Sequence, residues 1–284
     1  MMKKNLVFLL DEQEYAASMI RYAAPLAMDL GANLTVLHTQ LPVTVGMHGS
    51  IGTSTVVDPG HLEKEKRSMQ ELVHGIVGTL DPKTRAVVEI EFHSEVGAAV
   101  EVLSTMVTEK RVDMILLQGQ ADKNYWVQKP VAMAIIREVE CPVCIVEPDT
   151  TYKPLNKIVY ASDLNKEDIT AMQQLVRLTA PFAPEILAVH VTTDATFEER
   201  IKAEGFAEET RKQVGYENVH VTLLADQGYS YITDLLSNEA ERLNAVMIAV
   251  LKENLNFFER IFHKSFTASL IETARLPVMV FRGS

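Results

Sequence analysis

Two cysteines are the first residues whose spacing suggests chemistry. They form the motif Cys141-Pro142-Val143-Cys144, and such a pair performs redox chemistry when its first thiolate lies at a helix N-terminus. Here the motif leads directly into an apolar run over residues 143–146, which is typical of a buried strand. Because residues three apart on a strand point to opposite faces, the sequence predicts two core cysteines and no redox pair.

Histidines at the ends of apolar segments suggest a second kind of chemistry, metal binding. His38, His93 and His190 each end a predicted strand, and His38 and His93 are predicted to share one cleft. A metal site needs a third ligand, and His48, in a long loop over residues 40–60, is the candidate. No H-x-x-x-H or C-x-x-C…H spacing accompanies these residues. We therefore predict no metal site.

A basic cluster near the C-terminus suggests anion binding. Arg260, His263 and Lys264 precede Ser265, which is a good N-cap for a helix predicted over residues 266–273. A helix N-terminus flanked by cations attracts anions, but we favour a solvated basic surface as the explanation of the cluster. The residues before it are apolar and are predicted to pack as core, with a ligand lid as the alternative. They are Phe257, Phe258, Ile261 and Phe262.

The elements that position these residues alternate between strand and helix patterns. In the first half, strands are predicted over residues 5–10, 34–38, 87–92, 114–117 and 143–146, and helices over 15–30, 61–77, 98–110 and 131–139. A polar linker with two prolines follows, and the pattern then restarts. In the second half, strands are predicted over residues 157–160, 186–191, 219–224, 245–250 and 278–281, and helices over 166–179, 231–243 and 266–273.

The two halves also share residues at matching positions. The matched pairs are Asp11 and Asp163, His38 and His190, Gly97 and Gly228, and Pro142 and Pro277. A tandem duplication explains them, with one domain over residues 1–148, a linker over 149–156 and a second domain over 157–284. The alternation predicts an α/β fold of two five-stranded open parallel sheets in tandem, each with helices on both faces.

Composition excludes several classes of function. The net charge of −11 argues against a nucleic-acid partner, which needs a basic face. No run approaches the ~20 apolar residues of a membrane span, so we expect a cytoplasmic protein without membrane contact. The sequence contains no Walker A loop and no G-x-S-x-G elbow, which weighs against catalysis. We therefore expect no enzyme activity.

The order of the shared features resembles the universal stress protein family. In each half a strand ends in Asp, the next ends in Leu-His or Val-His, a Gly opens the third helix, and the last helix runs into Cys-Pro-Val or Leu-Pro-Val. The resemblance covers nearly the whole chain. It implies a stress-response or signalling role that acts through protein partners or a small ligand.

The resemblance also implies a ligand site at the carboxyl ends of the strands, where many members bind ATP or another adenine nucleotide. For Asp11 and Asp163, capping of the following helix is an equal alternative. The candidate residues are Asp11, His38 and Gly119 in the first half and Asp163, Val189, Lys264 and Ser265 in the second.

The family's phosphate loop, G-x-x-G, nine residues, then G-[S/T], is degraded in both halves. Glycines let backbone N–H groups approach phosphates, so their loss weakens the site. In the first half the glycine positions hold Gln118 and Ala121, with Gly119 adjacent, and the final pair is Lys129-Pro130. In the second half they hold Ala249 and Lys252, and the final pair is Lys264-Ser265, where only the serine survives.

The resemblance and the residues together predict a non-enzymatic tandem protein that needs no cofactor. The alternative is an adenine-nucleotide binder or slow ATPase with a divergent site in the second half. In single-domain relatives two copies pair through edge strands, so residues 143–146 and 278–281 are predicted to pair within this chain. That pairing covers two exposed edges and leaves room for a homodimer of the fused chain. The protein partners are not readable from the sequence.

Overall fold

The computed structural model describes residues 3–41, 44–46, 55–57, 59–119, 130–225, 232–251 and 276–282. Strands and helices alternate along both halves of the chain. The strands of the first half are β1 (Lys4–Leu9), β2 (Ala32–Gln40), β3 (Thr44–Gly46), β4 (Thr55–Val57), β5 (Ile90–Val96), β6 (Met114–Gln118) and β7 (Val143–Val146). Its helices are α1 (Ala16–Leu30), α2 (Pro59–Gly78), α3 (Pro82–Val87), α4 (Ala99–Thr108) and α5 (Pro130–Glu138).

The second half repeats this arrangement. Its strands are β8 (Lys157–Ala161), β9 (Glu185–Thr192), β10 (Val219–Ala225), β11 (Met247–Leu251) and β12 (Val278–Phe281). Its described helices are α6 (Lys166–Thr179), α7 (Phe197–Val214) and α8 (Ile232–Arg242). The helix predicted over residues 266–273 lies outside the described residues.

One ten-stranded sheet joins both halves. Its strand order is β10-β9-β8-β11-β12-β7-β6-β1-β2-β5. Within each half the neighbouring strands are parallel and follow the same order, and the two halves meet at β12 and β7, which are antiparallel. The predicted pairing of these two strands is therefore present, with Met279 opposite Cys144. The fold is α/β with two tandem five-stranded parallel sheets, as the alternation predicted.

The core lies on both faces of this sheet. One apolar cluster includes Phe8, Tyr160 and Met279, so it is continuous from the first half to the second. The other covers the opposite face and includes Leu37 and Val189. Cys144 belongs to the first cluster and Cys141 to the second, as expected for core residues. Burial raises the pKa of Cys141 to about 12 and also raises the pKa of Cys144, which disfavours the reactive thiolates.

Contacts away from the sheet also join the halves. The Lys4 ammonium donates to the last carbonyls of α6, those of Arg177 and Leu178, at 3.3 and 3.0 Å. In the linker, the Tyr152 hydroxyl donates to Asp29 Oδ2 at 2.5 Å, and Leu155 is buried. The polar linker of the sequence prediction is therefore packed onto α1.

Most elements lie where the sequence predicted them, but two helices were missed, as were the short strands β3 and β4 within the predicted loop over residues 40–60. The first, α3, is a single short helix that begins after Asp81, whose carboxylate caps it by accepting from the backbone N–H groups of Lys83 and Thr84. The second, α7, is largely polar and contains Gly205, so its apolar residues form no clear stripe. Its N-terminal signal was present as a capping box between Thr196 and Glu199.

The junction gives a stability prediction. Met279 is fully buried opposite Cys144, so Met279→Ala should lower the free energy of unfolding by about 2–5 kcal/mol. Because the sheet and one core cluster are continuous, urea unfolding followed by circular dichroism should show one transition for both halves. The exposed Leu41 provides the control, since Leu41→Ala should change the free energy of unfolding by less than ~0.5 kcal/mol. Two separate transitions in the wild type would contradict the continuous core.

Candidate functional site

The strand order marks one candidate ligand position in each half. In open parallel sheets, ligands bind beyond the carboxyl ends of the strands where the strand order reverses. In the first half this position lies between β1 and β6, and in the second half between β8 and β11. The residues that follow β1 and β8 include the predicted Asp11 and Asp163, and both side chains are exposed.

In the first half the end of β6 is held by its neighbours. Gly119 follows β6, and its N–H donates to the carbonyl of Val146 at 2.7 Å. The Gln118 amide donates to Glu12 Oε2 at 3.4 Å. A Cβ at position 119 would lie 2.4 Å from Glu147 Oε1, so a side chain there would require the Glu147 carboxylate to move. The glycine therefore accommodates a carboxylate of the chain itself.

His38 connects the ends of β1 and β2. Its Nδ1–H donates to the carbonyl of Leu10 at 3.3 Å, and its Nε2 lies 3.4 Å from Glu65 Oε1 on α2. The matching His190 makes the same strand-to-strand contact, to the carbonyl of Ser162 at 2.8 Å. In both halves the histidine thus fixes the loop after the first strand of its sheet.

His93 does not share the cleft of His38, contrary to the prediction. In the β2–β5 register His93 is opposite Leu37, while His38 is opposite Ser94. Neighbouring residues of a strand point to opposite faces, so the two imidazoles lie on different sides of the sheet. Among the described residues no group of three His, Cys, Asp or Glu side chains is arranged to hold a metal ion. His48 lies outside these residues.

The second half contains a carboxylate that the sequence prediction missed. Asp168 is completely buried in the first turn of α6. Its Oδ1 accepts from the Tyr160 hydroxyl at 2.8 Å, and its Oδ2 accepts from the Ser162 hydroxyl at 2.9 Å. Oδ2 also accepts from the backbone N–H groups of Asp163 and Asn165 at 3.0 and 3.1 Å. Four donors therefore converge on one carboxylate.

The loop between β8 and α6 is shaped around this carboxylate. The Asn165 side chain caps α6 and forms a capping box with Asp168, so the cap is Asn165 and not Asp163. Leu164 has a positive φ of 54°, and its N–H donates to Ser162 Oγ at 3.0 Å. The spacing Asn-x-x-Asp before an apolar run was the available sequence signal.

The other candidate residues of the second half fall into two groups. The Val189 side chain is buried in the core, and its carbonyl accepts from the Ser162 N–H at 3.0 Å. Lys264 and Ser265 lie outside the described residues, as do Arg260, His263 and the apolar residues before them.

Comparison with known proteins places this fold in a family. The profile described as the universal stress protein family matches residues 2–147, just over half of the 284 residues. The chain belongs to the universal stress protein family. No curated protein matches this universal stress protein.

Solved structures support the tandem fold of this universal stress protein. A universal stress protein from Archaeoglobus fulgidus superposes with a TM-score of 0.67 at 15% identity, covering 99% of this chain and 96% of that one. The cytoplasmic domain of a prokaryotic cation chloride cotransporter superposes with a TM-score of 0.54 at 12% identity, covering 98% and 95%. Within the described residues, no helix combines the length and apolar character that crossing a bilayer requires.

The Asp168 contacts give a second stability prediction. Asp168→Ala leaves four donors without their acceptor, so the free energy of unfolding should fall by about 2–4 kcal/mol. Asp168→Asn keeps the volume and one acceptor oxygen, so its loss should be smaller, about 1 kcal/mol. The exposed Asp163 is the matched control, and Asp163→Ala should leave urea unfolding almost unchanged. Equal losses for Asp163→Ala and Asp168→Ala would refute the role of Asp168.

The protonation of Asp168 gives a third prediction. Burial raises the pKa of Asp168 above its ordinary value, although its hydrogen bonds act in the opposite direction. Because the folded protein then binds the Asp168 proton more tightly than the unfolded chain, protonation of this carboxyl stabilises the fold. The stabilisation is complete below the unfolded-state pKa, about 3.9, and is lost as pH rises through the folded-state pKa. The wild type should therefore gain stability relative to Asp168→Asn as pH falls toward ~4. Urea unfolding of both proteins across this pH range measures the difference, and the opposite slope would show that the hydrogen bonds dominate.

Proposed function

We propose that this universal stress protein is a non-enzymatic cytoplasmic stress-response or signalling protein whose strand-end positions are occupied by its own carboxylates. The observation that carries the proposal is the set of contacts around Asp168. An anion beside the β8–β11 position would draw on backbone donors in the loop before α6. In this chain the N–H groups of Asp163, Leu164 and Asn165 in that loop already have acceptors.

In the second half, a bound anion would compete with Asp168 and Ser162 for the same backbone donors. The N–H groups of Asp163 and Asn165 point to Asp168, and the N–H of Leu164 points to Ser162 Oγ. An anion could replace these acceptors only by breaking the bonds and leaving Asp168 buried without its donors. It would also approach the Asp168 charge itself when the carboxyl is ionised. Both effects disfavour a phosphate at this position.

The first half supports the proposal through a different carboxylate. Glu147 lies against Gly119, and Glu12 lies beside Gln118. These are the positions where the family resemblance implies the phosphate loop. The carboxylates of Glu147 and Glu12 would repel the negative charge of a phosphate bound beside them, so an anionic ligand is disfavoured here as well.

We also propose the domain division of residues 1–148, 149–156 and 157–284 as the functional one. The linker packs onto α1 through Tyr152, and the halves share a core cluster. The two domains would then act as one rigid unit. Any homodimer of the fused chain would form through other surfaces than β7 and β12.

Nucleotide titration tests the proposal. Calorimetry of the full chain with Mg-ATP and with AMP should show no saturable heat at millimolar concentrations, and native mass spectrometry should give the mass of the chain without a nucleotide. Incubation with ATP should release neither ADP nor pyrophosphate.

The alternative of an adenine-nucleotide site around Asp163, Val189, Lys264 and Ser265 predicts a different result. In that case ATP would bind saturably, and Lys264→Ala with Ser265→Ala would abolish the heat. That outcome would overturn the proposal. Asp163→Ala is a further test variant. Its exposed side chain would contact the nucleotide if the alternative holds, but it has no role if the proposed function holds.

A further inference from the structure

A groove lies along one outer edge of the sheet. It has a volume of about 560 Å³ and is formed by α7 and β10. Because β10 is the last strand in the sheet order, one side of its backbone has no neighbouring strand among the described residues. The helix overhangs this open side, and Ala203 and Ala207 leave space between them.

The backbone on this open side can be assigned residue by residue. The Ile186 N–H donates to the carbonyl of Asn218, and Ile186 is in register with Val219. In a parallel ladder, alternate residues bond to the same neighbour. The N–H and C=O groups of Val221 and Leu223 therefore point outward. The Arg211 guanidinium, 3.5 Å from the carbonyl of Val219, lies on this same outward side.

Two arginines give the groove its charge. Arg200 and Arg211 both line it, and their spacing of eleven residues puts them on one helical face about 16 Å apart. The Arg200 side chain donates to the carbonyl of Thr196 and the Arg211 side chain to that of Val219, and neither forms an ion pair with a carboxylate of the described residues. Glu204 lies between them on the same face. The pattern along the groove is thus positive, negative, positive.

The two outer edges of the sheet differ in their protection. Edge strands usually carry charged residues that prevent pairing with other chains. At the opposite edge, β5 carries the exposed Glu91 and Glu95. The sequence of β10, VHVTLLA, contains neither an acidic residue nor lysine nor proline. The edge beneath α7 is therefore open to strand addition, while the other edge is guarded.

We propose that this groove binds an extended acidic peptide segment of a partner protein, which adds a strand to β10. The peptide backbone would bond to the outward groups of Val221 and Leu223. Two peptide carboxylates four residues apart lie on one side of a strand, about 13 Å from each other. The side chains of Arg200 and Arg211 are flexible enough to span the difference between this separation of about 13 Å and their own spacing of about 16 Å along α7. A hydroxyl side chain between the carboxylates would face Glu204.

This inference rests on the proposed signalling role and names the class of partner, an acidic peptide segment. It depends on residues of α7 and β10, whereas the case against nucleotide binding depends on residues at the strand ends. Nucleotide binding would overturn only the proposed function, and failure of peptide binding would overturn only this inference.

A labelled peptide pool tests the charge pattern. The pool contains fluorescein-labelled heptapeptides with Asp at the second and sixth positions and Val, Ile, Thr or Ser elsewhere. Fluorescence anisotropy with the full chain should show saturable binding, and replacement of both Asp by Asn should weaken it about tenfold or more. Arg200→Gln with Arg211→Gln should cause a similar loss, while Arg177→Gln, on α6, should cause none. Equal binding of the Asp and Asn pools, or no saturation by the Asp pool, would overturn the proposal.

N-methylation of the bound peptide tests the strand addition without changing the protein. Methyl groups on alternate residues remove the N–H groups on one side of a strand. One of the two alternate patterns should abolish binding and the other should preserve it. Equal tolerance of both patterns would overturn strand addition. Sedimentation of the free chain should not show a dimer that is lost in the arginine variants. Such a dimer would mean that the groove binds a second copy of this chain.

Discussion

The pairing of β7 with β12 is the constraint on which the rest of this molecule depends. Each half alone would end in an open edge of four residues, and an open edge invites pairing with other chains. The antiparallel contact removes both edges at once and makes the two parallel sheets a single structure. It also lets one apolar cluster run through both halves, so the junction is stabilised by burial as well as by backbone hydrogen bonds.

With the sheet fixed in this way, the loops at the carboxyl ends of the strands differ between the halves. In the second half, Tyr160 and Ser162 reach from β8 and its end to Asp168 on α6. The contact ties strand, loop and helix together in the region that the family resemblance associates with a ligand. In the first half, Glu147 reaches Gly119 from the segment that follows β7. Carboxylates of the chain thus lie at the strand ends of both halves but at different places, after β7 in the first half and in the first turn of α6 in the second.

The sequence predicted the ten strands of the main sheet and most helices because their apolar spacing is regular. Helix α6 was predicted over its full extent, and Gly31 ends α1 in the left-handed conformation expected of it. Helix α7 was missed because its buried positions carry small residues such as Ala203 and Ala207, which give little periodic signal. Strand-end residues were predicted as a group, but their partners were not. Asp168 looks like an ordinary capping residue until the fold brings Tyr160 to it, and the separation of His38 and His93 depends on strand register, which the sequence did not specify.

The two outer strands of the sheet occupy equivalent positions, yet one carries glutamates and the other does not. In a symmetric pair of identical chains this contrast would be impossible, because every residue at one rim would recur at the other. Joining the halves covalently removes that requirement. Each outer edge of the sheet then has its own sequence, so the two edges are distinguishable. A partner that binds only one edge would bind with a stoichiometry of one per chain and in a single orientation.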